Sequence, residues 1–172
     1  MMVALGFLVV FGYKAVKRFV LKPSIDSGIK AYGISGKLPD GTSFSLSDLR
    51  GKYVLLDFWG SWCKPCRRAH PELKKLYAEF NSDRSGQGTG FEIVSFGVER
   101  SEARWRAAIL EDKLPWPYHL FSASLFKHPF VEAYNVRQIP TRFLINPEGA
   151  IIAVDPSISQ IKRILSEAWN YK

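Results

Sequence analysis

Seven nearly continuous apolar residues, Tyr53–Trp59 (YVLLDFW), run through Gly60-Ser61 straight into Trp62-Cys63-Lys64-Pro65-Cys66. An unbroken apolar run of this length marks a strand buried on both faces, as a central parallel sheet requires. Beyond the cysteines, Leu73, Leu76, Tyr77 and Phe80 recur at i, i+3, i+4 and i+7, the stripe of an amphipathic helix. The chain is therefore constrained to an α/β arrangement in which a cysteine pair sits at the join of a buried strand and a helix. Its 172 residues, 47% of them hydrophobic, fit one such domain with some extra chain at an end.

The remaining pattern supplies the partners that strand needs. Phe91–Val98 is a second buried-type strand, and Ser101 can cap a helix running to about Glu111. Leu114-Pro115-Trp116-Pro117 breaks the chain, and a short helix near Phe130–Tyr134 leads to Ile139-Pro140-Thr141. Arg142–Asn146, a turn at Pro147-Glu148-Gly149 and Ala150–Val154 read as a hairpin, followed by a last helix from Ser157 to Trp169. Ahead of the first buried strand lie a hairpin (Lys30–Ser35, a turn at Pro39-Asp40-Gly41, and Ser43–Ser45) and one helical turn at Ser47-Asp48-Leu49. Residues 81–90 are a polar, glycine-rich loop. The order is ββ, βαβα, ββα, with no internal repeat.

The chain has two cysteines, three positions apart. A disulfide scaffold needs several bridges, so the pair is either redox-active, half of a zinc site, or inert in a core. Zinc needs two more ligands, and His70, His119 and His128 are scattered without paired spacing. The strand–CxxC–helix setting favours redox chemistry. Unpaired N–H groups and the dipole at a helix start stabilise an anion, and Lys64, Arg67 and Arg68 add positive charge. The thiolate is the attacking species, so Cys63 is the expected nucleophile, with its pKa drawn below the free value of about 8.5. Cys66 lies one turn on and can close a bridge to Cys63 without unfolding the helix. Pro65 is tolerated because first-turn N–H groups lack helical partners anyway.

Residues 1–22 are apolar to Tyr13 and then basic. Lys14, Lys17, Arg18, Lys22 and Lys30 against Asp26 place half of the net charge of +8 before the domain begins. No basic stripe interleaved with aromatics tracks a phosphate backbone, so nucleic acid is not an expected partner. A basic segment beside an apolar one suits a membrane surface, and residues 1–22 are read as a membrane anchor. Residues 23–29 are a linker and 30–172 the folded domain. The charges after Tyr13 would hold the domain in the cytoplasm under the positive-inside rule. An upstream charged extension would reverse that orientation, and a domain outside the cytoplasm is the preferred expectation.

Taken together, these motifs resemble the thioredoxin superfamily, and most of all its membrane-tethered TlpA/ResA-type thiol–disulfide oxidoreductases. The resemblance covers about Lys30 to Trp169. It is carried by Asp57-Phe58-Trp59-Gly60-Ser61-Trp62-Cys63-Lys64-Pro65-Cys66, by Ile139-Pro140-Thr141 and by Phe143-Leu144-Ile145-Asn146-Pro147-Glu148-Gly149. It implies a thioredoxin-like fold, a central mixed sheet flanked by helices, with an added N-terminal β-hairpin. It implies that Pro140 is the cis-proline facing the cysteines and that the Ile139 backbone pairs with the substrate chain. Asp57 matches the buried acid that assists proton transfer at the second cysteine, and Pro71 a helix kink. Trp59, Trp62, Lys64 and Pro65 line the substrate side or, for the tryptophans, close the core. Ala69 stands where ResA-type proteins have a functional glutamate, a departure from the family pattern that leaves their cytochrome-maturation role open for this chain. The expected partners are a disulfide-containing protein substrate and an upstream thiol donor, with no metal or cofactor and a monomeric chain.

Two other functions share this fold. A peroxiredoxin-type antioxidant needs a Thr-xx-Cys motif, which is absent: Ser61 precedes Cys63 by two positions. A non-catalytic binding module would use the groove near Ile139-Pro140, and an intact CxxC speaks against it.

Overall fold

The computed structural model describes residues 27–81 and 90–170. Residues 1–26, on which the expected anchor segment and most of the expected linker fall, and the bulk of the polar loop lie outside the described residues.

The buried strand read from the sequence is β3 (Tyr53–Trp59), and it sits at the centre of a five-stranded mixed sheet. On one side it pairs in parallel with β4 (Phe91–Val98), which pairs in parallel with β5 (Tyr118–Ser122). On the other it pairs antiparallel with β6 (Thr141–Ile145), which is followed by β7 (Ile151–Val154). The apolar runs of β3 and β4 follow from this placement, because each has a strand on both flanks and a covered layer on both faces. The sequence reading had no strand after Pro117. β5 nevertheless forms there, because β4 needs a hydrogen-bonding partner on its far edge.

The N-terminal hairpin is present as β1 (Ser35–Lys37) and β2 (Ser43–Ser45), an antiparallel pair. Its first strand begins later than the alternation suggested. Residues 28–31 instead hydrogen-bond along the start of β7, with the Gly28 amide donating to the Ile151 carbonyl and the Ala31 amide to the Gly149 carbonyl. A half-polar stretch of this kind takes whichever edge lies beside it.

Period-two alternation splits β3 between two cores. Val54, Leu56 and Phe58 face a layer built from the hairpin, α3 (Pro129–Ala133) and Tyr134. Leu55 and Trp59 face the opposite layer, where α1 (Lys64–Phe80), α2 (Glu102–Glu111) and α4 (Ile158–Asn170) pack. Leu73, Leu76, Tyr77 and Phe80 of α1 are buried there with Ile161 and Leu165 of α4. Cys63 and Cys66 belong to the same cluster. Asp57 alternates with Leu55 and Trp59, so it points toward the face that holds the cysteines.

Candidate active site

Cys63 is the N-cap residue of α1, with Lys64 and Pro65 opening the helix. Its sulfur accepts a hydrogen bond from the Cys66 amide at 3.2 Å, so one of the orphan donors of the first turn is aimed at sulfur. Cys63 and Cys66 are joined as a disulfide with Cα atoms 5.3 Å apart. Cys63 is 4% exposed and Cys66 1%, so the first cysteine is the more accessible one.

The loop that delivers Cys63 is fastened to the end of β4. Because β3 and β4 run parallel with Trp59 opposite Gly97, Val98 and Glu99 lie beside Gly60 and Ser61. The Trp62 indole N–H donates to the Val98 carbonyl at 3.0 Å. The Ser61 amide donates to Glu99 Oε2 at 3.1 Å, and the Ser61 hydroxyl donates to the same oxygen. Glu99 Oε1 accepts from the Arg100 amide at 2.8 Å. Burial pushes the Glu99 carboxyl up, but its bonds from Ser61 and the Arg100 and Ser101 amides outweigh this and hold it below the usual carboxylate range. Gly60 is required by close approach: a Cβ there would lie 2.8 Å from the Trp62 indole nitrogen and 2.9 Å from the Val98 carbonyl oxygen. Sequence reasoning missed Ser61 and Glu99. The available signal was an acid directly after a buried strand parallel to the one that ends in the cysteines.

Of the expected site residues, Asp57 is 1% exposed and its Oδ1 accepts from Arg142 Nε at 2.9 Å. The two are direct cross-strand partners in the β3–β6 ladder. Arg142 was not anticipated as its partner. The Ile139–Pro140 bond is cis. Ile139 is half-buried and packs against both core layers, including the one containing the cysteines. Trp62 is 52% exposed, and Lys64 and Pro65 lie on the surface beside it. The tryptophans divide: Trp59 is fully buried, edge-on to His70 with ring centroids 4.9 Å apart, so it closes the core and cannot line a substrate surface.

The expected positive field also needs revision. Arg67 is committed to Asp112 at 2.6 Å and Glu111 at 2.9 Å, which leaves Lys64 and Arg68 as the contributors without an ion pair among the described residues. Asp112 also accepts from His70 Nδ1 at 2.7 Å, tying the first turns of α1 to the end of α2. Among the described residues no three His, Cys, Asp or Glu side chains are grouped to hold a metal ion.

A disulfide-linked cysteine pair at the start of a helix, at the carboxyl end of a central strand, on this sheet order defines a thioredoxin-like redox domain. The comparisons take this further. Residues 51–151 match the family described as Thioredoxin-like. Thiol-disulfide oxidoreductase ResA of Bacillus subtilis is 35% identical over 151 residues, covering 88% of this chain and 76% of that protein. The thioredoxin domain of a thiol–disulfide oxidoreductase from Bacteroides vulgatus superposes with a TM-score of 0.75 at 34% identity, over 86% of this chain and all of that one. A putative thiol:disulfide interchange protein DsbE from Chlorobium tepidum superposes with a TM-score of 0.68 at 26% identity, over 85% of this chain and 99% of that one. The chain belongs to the thioredoxin-like family of ResA-related thiol–disulfide oxidoreductases. Its substrates are disulfides and its electrons come from thiols.

Proposed function

We propose that the protein reduces disulfides of protein substrates through Cys63 and Cys66. The observation that carries this reading is the Cys63 sulfur at the N-cap of α1 with the Cys66 amide directed at it. In the reduced protein the same donor stabilises the Cys63 thiolate.

The thiolate attacks one sulfur of the substrate disulfide. A bond forms between Cys63 and that sulfur, the substrate S–S bond breaks, and the other substrate sulfur leaves and takes up a proton. Cys66 then loses its proton and attacks Cys63, forming the intramolecular disulfide and expelling the second substrate thiol. Two electrons pass to the substrate, and an upstream thiol donor restores the pair. Asp57, on the cysteine-bearing side of β3, receives the Cys66 proton on its carboxylate. Its Oδ2 accepts no hydrogen bond among the described residues, while Arg142 holds Oδ1. The Ile139 backbone and Pro140 frame the substrate chain, with Trp62, Lys64 and Pro65 as the surface it meets.

Residues 1–22 serve as a membrane anchor and 23–29 as a linker, holding a monomeric domain of residues 30–172 outside the cytoplasm. The composition of residues 1–22 supports this. No described helix is long and apolar enough to cross a membrane.

The test is reduction of insulin with a dithiol donor. The wild-type chain turns over and Cys63→Ser falls to the uncatalysed rate; full activity in Cys63→Ser overturns the assignment.

A further inference from the structure

Beside the cysteines, on the far side of Trp62, lies an open cavity of about 630 Å³. Its walls are the Trp62 indole, the half-buried Leu125 and Phe126, and the segment from Glu99 to Arg104. The volume falls among pockets that enclose whole small ligands, roughly 300–1,000 Å³, so it takes more than one side chain. The wall is built from three separate elements: the loop before α1, the start of α2, and the turn after β5. Leu125 is held at a φ of +51°, a conformation a branched residue adopts only where its surroundings demand it.

The charge at this cavity is not balanced within the chain. Arg67, Arg106 and Arg142 each pair with a carboxylate. Arg100 and Arg104 are exposed on the cavity wall and form no ion pair among the described residues. Glu99, the one acid in the wall, keeps its charge but turns its oxygens to Ser61 and the Arg100 amide and makes no ion pair with either guanidinium among the described residues, so two cations face one carboxylate. Arg100 also lines a shallower continuation of the hollow that ends at Lys127. The result is an apolar trough with cationic sides, separated from Cys63 by a single residue, Trp62.

We infer that this trough receives a stretch of the substrate protein, next to the cysteine under attack, that carries an apolar side chain flanked by carboxylates. The inference rests on the exchange reaction proposed above and adds the class of sequence it prefers. A chain tethered at Cys63 advances about 3.3 Å per extended residue, so its neighbouring residues lie over Trp62 and enter the trough. The apolar side chain displaces water from Trp62, Leu125 and Phe126. The carboxylates meet guanidinium groups, which bind them bidentately. Opposite charge also speeds encounter, and salt screens that gain.

The test uses the reduced full-length chain and two disulfide-linked peptides that differ only beside the cysteine, one Leu-Asp-Glu and one Leu-Lys-Arg. In a single turnover Cys63 and Cys66 are oxidised to their disulfide and each peptide disulfide is reduced to two thiols. Neutral hydroxyethyl disulfide, too small to fill the trough, reports exchange itself and normalises the rates. The acidic peptide is expected to react on the order of tenfold faster at low ionic strength, and its advantage should shrink in salt. Arg100→Glu with Arg104→Glu should reverse the preference, and Phe126→Ser should slow both peptides relative to hydroxyethyl disulfide. Equal peptide rates while hydroxyethyl disulfide is reduced, or a preference unmoved by the double charge reversal, overturn the trough alone. Failure to reduce hydroxyethyl disulfide overturns the exchange reaction beneath it.

Discussion

The Cys66 amide N–H is directed at the Cys63 sulfur from one turn up the helix, with nitrogen and sulfur 3.2 Å apart, while Cys66 itself lies at 1% exposure. The two sulfurs of one bridge therefore occupy unequal positions. In the fully reduced protein, limiting iodoacetamide at neutral pH should label Cys63 first and leave Cys66 unmodified. Peptide mapping by mass spectrometry reads the order; label on Cys66 first would reverse the assigned roles.

The same inequality sets what each serine variant does. Cys66→Ser should accumulate a mixed disulfide with its substrate through Cys63, because no second thiol remains to release it. A non-reducing gel shows the adduct, and a dithiol collapses it. Recovery of the adduct from Cys63→Ser instead contradicts the mechanism.

Asp57 and Arg142 form a buried ion pair across β3 and β6. Removing one partner strands the other charge away from water, which costs about 3–5 kcal/mol. Asp57→Leu and Arg142→Met should each destabilise by that order in urea denaturation. The double variant should lose much less than the sum of the two. Strict additivity would show that the pair is not coupled.

Burial pushes the His119 imidazole down to about 4, against an opposing backbone contact at Trp116 and with His70 adding to the shift. In the unfolded chain the group titrates near 6.5. Between those values the unfolded state binds a proton that the native state does not, so stability falls as the pH drops from about 6.5 to about 4. The loss assigned to this group is on the order of 3 kcal/mol. His119→Phe, between Trp105 and Trp116, should flatten that part of the profile when urea midpoints at pH 7 and pH 4.5 are compared.

Glu99 is the acid that holds the loop before Cys63. Glu99→Ala leaves the half-buried Ser61 amide without its charged acceptor, a loss of about 1–3 kcal/mol. Reduction of hydroxyethyl disulfide, followed by stopped flow, should slow although both cysteines remain. An unchanged rate would make the Ser61–Glu99 contact purely structural.

How much of this was legible in the sequence depended on how local each signal was. β3 and β4 were readable to their ends because runs that are mostly apolar need no knowledge of partners. β5 was not: two prolines precede it, and it exists because β4 has an edge to fill. The cysteines, their helix and the Ser101 cap lie within a few residues of one another and were visible. Arg142 is 85 residues from Asp57, and only the antiparallel register of β6 brings them together. Trp59 and Trp62 look alike in sequence, and the alternation of one strand and the loop after it sends one inward and the other out. The trough was invisible because its walls come from three separated segments.

β3 has a strand on each flank, so the cysteines stand at the tip of an interior strand and nowhere along the sheet's rim. A partner disulfide must therefore come down on the top of the sheet, sulfur first, along the line of the strand. Bridges that project from loops or sit in unfolded chains meet that demand, and bridges enclosed within a finished β-sheet do not. The sheet order thus sorts disulfides by how far they protrude, whatever the folding state of the protein that carries them.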